Sequence, residues 1–132
     1  MLNIAMMDAD TYIKYGLSVY FKSKGINVMA ASNISDLTVN LQSNEVDVVV
    51  MELFSRDDDV FDCIEFIRVF PAQWPQSKLI IYTQVLNEDA VNLLIAVTGP
   101  KEIVFKTDSM HELASCVFAP WKDNLLNLEQ AG

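Results

Sequence analysis

Apolar residues come along this chain in two alternating textures. Short, nearly unbroken runs occur at LNIAMM (residues 2–7), INVMAA (26–31), VDVVVM (46–51), LIIYT (79–83) and EIVF (102–105). Between them, apolar positions recur every three or four residues among polar ones. Runs of the first kind suit parallel strands buried on both faces. Stretches of the second kind suit amphipathic helices laid against such a sheet.

The spacing predicts a first helix over 11–24, with Tyr12, Ile13, Leu17, Tyr20 and Phe21 on one stripe and Gly25 closing it. Asn33, with Asp36 three residues later, caps a second helix running to about Ser43. A third, carrying Phe61, Ile64, Ile67 and Arg68, follows the loop FSRDDD and is expected to end at Pro71. Asn87, Glu88 and Asp89 open a fourth, rich in Val91, Leu93, Leu94, Ile95 and Val97, which Gly99-Pro100 stops. Acids in a first turn suit the helix dipole. Ser109 and Glu112 form a capping box for a fifth helix, through about residue 119. Strands alternating with helices in this way predict an α/β fold with a parallel sheet and right-handed crossovers. Residues 1–120 are expected to form that single domain, and 121–132 to be the start of a linker or a tail.

Composition narrows the function classes. At 132 residues, 52% hydrophobic and with a mean hydropathy of +0.23, the chain is long and apolar enough for a real core. No apolar run approaches the roughly 18 residues of a membrane span, and no signal peptide is evident, so a cytoplasmic protein is expected. The net charge of −9 opposes direct binding to nucleic-acid phosphates. Contact with DNA would need a separate domain. Cys63 and Cys116 lie far apart, without metal-ligand spacing, and are expected as buried free thiols.

The polar residues that close four of the strands are Asp8, Glu52, Thr83 and Lys106. In an open α/β sheet, ligands and chemistry collect at the carboxyl ends of the strands. Two acids, a hydroxyl and an amine are therefore expected at one edge, with Asp10 close by. A cofactor enzyme on a flavodoxin-like scaffold would need a Gly/Ser/Thr-rich phosphate loop after the first strand. DADTY is not one, so no cofactor and no enzymatic activity are expected. His111 reads as a surface residue, Asp57-Asp58-Asp59 as a solvated loop that caps the third helix, and Met6, Met7 and Met51 as core fillers. Trp74 and Trp121 read as packing or interface aromatics.

With those four strand ends in hand, residues 2 to about 119 resemble the receiver domain of bacterial response regulators. The stretch AMMDADTYIKYGL is most similar to receivers of the NarL/LuxR class, and within it to the capsule regulators. The resemblance implies a flavodoxin-like, doubly wound five-stranded parallel sheet in the order 2-1-3-4-5, and a helix-turn-helix domain downstream. It aligns Asp8 with the first member of an acidic pair, Ala9 with the second, Glu52 with the phosphate-accepting aspartate, and Thr83 and Lys106 with the conserved hydroxyl and lysine. It also implies departures. Ala9 has no oxygen for the Mg²⁺ that the second acid would hold, and Glu52 is longer than aspartate by one methylene, about 1.5 Å. Gln84 stands where a small residue admits phosphate, Ile103 where a switch aromatic sits, and Arg56 where a proline is common. Together these imply a pseudo-receiver in which Lys106 pairs with Glu52 or Asp8 and no metal is held. It would work by pairing with itself or another receiver through the face formed by the fourth helix, fifth strand and fifth helix, with Val91, Leu94 and Ile95 in the contact.

Overall fold

A computed structural model describes residues 2–53, 58–84, 102–106 and 110–119, together with Asp89, Asn92 and Ala96. Its five strands are β1 (Asn3–Met7), β2 (Asn27–Ala31), β3 (Val48–Met51), β4 (Lys78–Thr83) and β5 (Glu102–Phe105). They pair in parallel, in the order β2-β1-β3-β4-β5. Four helices are bounded among the described residues: α1 (Thr11–Lys22), α2 (Ile34–Ser43), α3 (Val60–Gln73) and α4 (Met110–Phe118). Asp89, Asn92 and Ala96 are also helical, within the expected fourth helix of the sequence. The doubly wound five-stranded sheet expected from the chain is the one found.

Strand residues alternate between two cores. Ala5, Met7, Val49, Met51, Leu79 and Ile81 pack with Leu37 and Leu41 of α2 and with Cys63, Phe66, Ile67 and Phe70 of α3. Their neighbours Ile4, Met6, Val48, Val50, Ile80 and Tyr82 pack on the opposite side with Leu17 and Phe21 of α1 and Leu113, Ala114 and Val117 of α4. A strand whose successive side chains enter two different cores must be apolar at nearly every position. That is why the strands read as unbroken runs.

Local chemistry sets the helix ends. Asp10 caps α1, its Oδ1 accepting from the N–H groups of Tyr12 and Ile13 at 2.9 and 3.3 Å. At the other end, Ile26 N–H donates to the Phe21 carbonyl and Gly25 N–H to that of Lys22, with Gly25 at φ +78°. This is a Schellman closure, and the left-handed backbone favours glycine there. Asn33 accepts from Asp36 N–H at 2.8 Å, and Asp59 from Phe61 N–H at 2.7 Å. Ser109 lies outside the described residues.

Two readings of the helices need correcting. Pro71 does not end α3, which runs on to Gln73. Trp74 N–H closes the last turn on the Phe70 carbonyl at 2.9 Å, and the Trp74 ring packs against Phe66 and Phe70 at 5.8 and 5.5 Å. That aromatic cluster holds the turn which proline disfavours. Tyr12 does not belong to the buried stripe of α1: it is five residues from Leu17, about 140° around the helix, and faces solvent. Of the two free thiols, Cys63 is buried but Cys116 only half-buried.

The two-core packing makes a stability prediction. Ile67→Ala, which hollows a fully buried site, should cost about 2–5 kcal/mol in denaturant unfolding. Val39→Ala, on the exposed side of α2, should stay within about 0.5 kcal/mol. Equal effects would contradict the helix orientations.

Candidate functional site

Sheet register brings the strand-end residues together. Met7 of β1 lies opposite Met51 of β3, so Asp8 and Glu52 follow side by side, and Glu52 N–H donates to the Met7 carbonyl at 3.0 Å. Thr83 lies opposite Phe105, and Lys106 N–H donates to the Thr83 carbonyl at 2.9 Å. The chain thus carries residues 8, 52, 83 and 106 to a common edge before any side chain acts.

The side chains then close on one another. Lys106 Nζ contacts Asp8 Oδ2 at 2.5 Å and Glu52 Oε2 at 2.8 Å. Thr83 Oγ1 donates to Glu52 Oε1 at 2.6 Å, and the backbone N–H of Gln84 to Glu52 Oε2 at 3.3 Å. Asp10 N–H donates to Asp8 Oδ1 at 2.9 Å. The ammonium and both carboxylates are buried, with 7, 9 and 5% of the Lys106, Asp8 and Glu52 side chains exposed. Burial of charge is tolerated only with partners. One ammonium against two carboxylates leaves a formal charge of −1, and the hydroxyl and two backbone donors face that excess.

Burial pulls the Lys106 ammonium downward, but the hydrogen bonds it donates to Asp8 and Glu52, and the charges of those carboxylates, outweigh it, so its pKa lies above the ordinary lysine value. Burial, then Asp58, Asp62, Glu52 and Asp59, push the Cys63 thiol up to about 12. Cys63 is therefore a neutral core thiol at neutral pH and not a nucleophile.

The remaining candidates divide. Asp10 is exposed, and its carboxylate caps α1 instead of facing Lys106. Gln84 is exposed and joins the site through its backbone. Ile103 is partly buried against the core on the α2–α3 side of the sheet. His111 is exposed on α4. Arg56, Asp57, Trp121, Val91, Leu94 and Ile95 lie outside the described residues. Sequence reasoning did not find two contacts. Asp58 Oδ2 accepts from Ile34 N–H at 3.0 Å, tying the loop before α3 to the start of α2. The Tyr82 ring lies 5.8 Å from Lys106 Nζ, within cation–π range. An aromatic one residue before the strand-end hydroxyl was the available signal for the second.

No protein-family model matches the chain, and no curated protein does. Solved structures do. The receiver domain of the Francisella response regulator 1452 superposes with a TM-score of 0.76 at 18% identity, over 94% of this chain and 99% of that one. A two-component response regulator from Clostridium difficile gives 0.74 at 23% identity, over 90% and 94%. RcsB from Salmonella enterica serovar Typhimurium, bound to promoter rprA in the presence of phosphomimetic BeF₃⁻, gives 0.73 at 18%, over 89% of this chain and 66% of that one. The chain has the fold of response-regulator receiver domains.

The divalent cation implied by the receiver resemblance does not fit this donor set. Both buried carboxylates are held by an ammonium at 2.5–2.8 Å, and Ala9 beside Asp8 has no side-chain oxygen. Among the described residues, no three or more His, Cys, Asp or Glu side chains converge as metal ligands.

The linkage of Lys106 to stability has a definite sign. With its pKa raised, its contribution is fully present below the ordinary lysine value of 10.5 and is lost as pH climbs above it. Lys106→Met leaves two buried carboxylates without a cation and should cost about 3–5 kcal/mol at pH 7. Denaturant unfolding from pH 7 to 11 should show the gap between wild type and variant narrowing at the alkaline end. Cys63 titrates in both proteins and cancels in that difference. A gap that is absent, or that widens with pH, would contradict the ion triad.

Proposed function

We infer that this chain is a regulatory receiver-like module of a bacterial transcriptional regulator that works without phosphorylation. The observation that carries the reading is the Lys106 ammonium lying against both Asp8 and Glu52. Phosphoryl transfer relies on an in-line nucleophile and on cations that neutralise the phosphate. Here the carboxylate proposed to stand in the acceptor position is a glutamate. Its two oxygens already accept from Thr83, Gln84 and Lys106. Asp8 takes the same ammonium, and Asp10 and Asp59 are committed to helix caps, which weighs against an unconventional aspartyl acceptor.

In this reading the Lys106–Glu52 contact stands in for the lysine–phosphate contact of an activated receiver, and the domain rests in one state. Its output is pairing, with a second copy or with another receiver. Val91, Leu94 and Ile95 are proposed for that pairing face, with either partner, on the strength of their apolar sequence. DNA would be reached through a separate domain. RcsB, with 66% of its chain covered by this one, was solved bound to a promoter, which supports that arrangement.

Incubation with acetyl phosphate and Mg²⁺, followed by intact-mass measurement, should leave the mass unchanged. A phosphoryl adduct that disappears in Glu52→Gln would overturn the reading.

A further inference from the structure

At the edge of the sheet away from Lys106, the N-terminal ends of β3 and β4 border a cavity of about 460 Å³. Leu41 and Val46, both buried, line it together with the half-buried Trp74. Hydrogen bonds fix its walls. Ser77 N–H donates to the Trp74 carbonyl at 3.1 Å, Ser77 Oγ to that of Val46 at 2.5 Å, and Lys78 N–H to that of Asp47 at 2.9 Å. A preformed hollow of roughly 300–1,000 Å³, with apolar walls and a few placed polar groups, has the size and character of a small-molecule site.

The charge around this cavity has one sign. Helices α2 and α3 both end at it, at Ser43 and Gln73, and their cap residues Asn44 and Trp74 line it. A helix C-terminus carries the negative end of the dipole and carbonyls without intrahelical partners. Neither helix has a basic residue in its last turn. Glu45 and Asp47 add two carboxylates, and among the described residues no lysine, arginine or histidine lines the cavity. Asp47 gives Oδ2 to the Asn3 N–H at 2.8 Å, whereas exposed Glu45 holds the fold through its backbone carbonyl, which accepts from Asn3 Nδ2 at 2.9 Å. The nearest lysine in the chain, Lys78, is drawn to the α4 side of the sheet, where it donates to the Cys116 carbonyl at 2.5 Å.

We propose that this cavity binds a small organic cation, an ammonium or amidinium group joined to a flat apolar body. An anion would meet two acids and the negative ends of two helices. A bare metal ion gains nothing from Leu41, Val46 and Trp74. A flat cation gains from both kinds of wall: its body lies on Trp74, whose π face attracts positive charge, and Glu45 pairs with that charge at the mouth. Like charges above low-dielectric walls also focus their field into the hollow, which raises the local concentration of a counter-ion. A single lysine or arginine side chain would fill only part of the volume. The inference goes beyond the pairing reading and does not rest on it, since the cavity and the Lys106 cluster lie at opposite ends of β3.

Nuclear magnetic resonance of the whole ¹⁵N-labelled chain tests it, with benzamidinium and phenethylammonium as probes and neutral benzamide and anionic benzoate as controls. Trp74→Phe assigns the Trp74 indole signal. At least one cation should shift that signal, and amide signals within 44–47 and 73–77, saturably and with a dissociation constant of about 1 mM or below. Benzamide should bind at least about tenfold more weakly than benzamidinium, and benzoate should give no shift. Glu45→Gln, an exposed change that should leave the circular dichroism intact, should weaken the cation about fivefold, and by more at low salt than at high salt. The site would be overturned if neither cation binds at about 20 mM, if benzamide matches benzamidinium, if Glu45→Gln binds like the wild type, or if the shifts centre on residues 8, 52 and 106. Tighter binding of acetyl-arginine amide than of either probe at the same residues would overturn the small-molecule occupant in favour of an arginine presented by another protein.

Discussion

Lys106 leaves the end of β5 and reaches past β4 and β3 to Asp8 at the end of β1, 98 residues earlier in the chain. On the way it meets Glu52. A buried charge of this kind is a strong constraint, because removing the ammonium leaves both carboxylates desolvated without a cation. The parallel order of the sheet exists independently, from apolar burial on two faces. What the ammonium adds is a fixed relation between the loops after β1, β3 and β5, the loops that move or admit ligand in an open α/β fold. Thr83 and the Gln84 backbone extend the same relation to the end of β4. The candidate site is thus internally neutralised as far as one cation allows.

Such an arrangement bears on signalling through energy. A two-state domain responds to a ligand only by differential interaction with its states. A phosphoryl group or divalent cation entering this edge would have to displace Lys106 from carboxylates it holds at 2.5 and 2.8 Å. Under the proposed reading, regulation would fall to pairing surfaces. A change in the concentration of the protein or of its partner would take the place of a covalent signal.

Much of this was legible in the sequence, for identifiable reasons. Strands buried on both faces appear as apolar runs because both sets of alternating side chains enter a core, as Val48 to Val50 do. Caps at Asn33 and Asp59 were legible because they act over two or three residues. Topology alone carries Asp8, Glu52, Thr83 and Lys106 to one edge, so their proximity followed from the strand count. What escaped was set by distant or competing packing. Pro71 stays helical because Trp74 stacks on Phe66 and Phe70, a contact outweighing the local penalty. Tyr12 looked apolar enough for the core stripe, but its angle about α1 decides otherwise. The sharing of Lys106 between both carboxylates, and the reach of Asp58 to Ile34, depend on side-chain positions across 98 and 24 residues of separation.

The central claim is that the Lys106 ammonium occupies the place where a receiver would gather metal and phosphate. Lysine-selective ¹⁵N nuclear magnetic resonance can watch that group directly, with Lys106→Arg assigning the signal. A buried, paired ammonium exchanges its protons slowly and should give a distinct resonance that titrates above the ordinary lysine range. Addition of Mg²⁺ and then beryllium fluoride should leave that resonance in place. A saturable shift on either addition, at millimolar concentrations or below, would contradict the account.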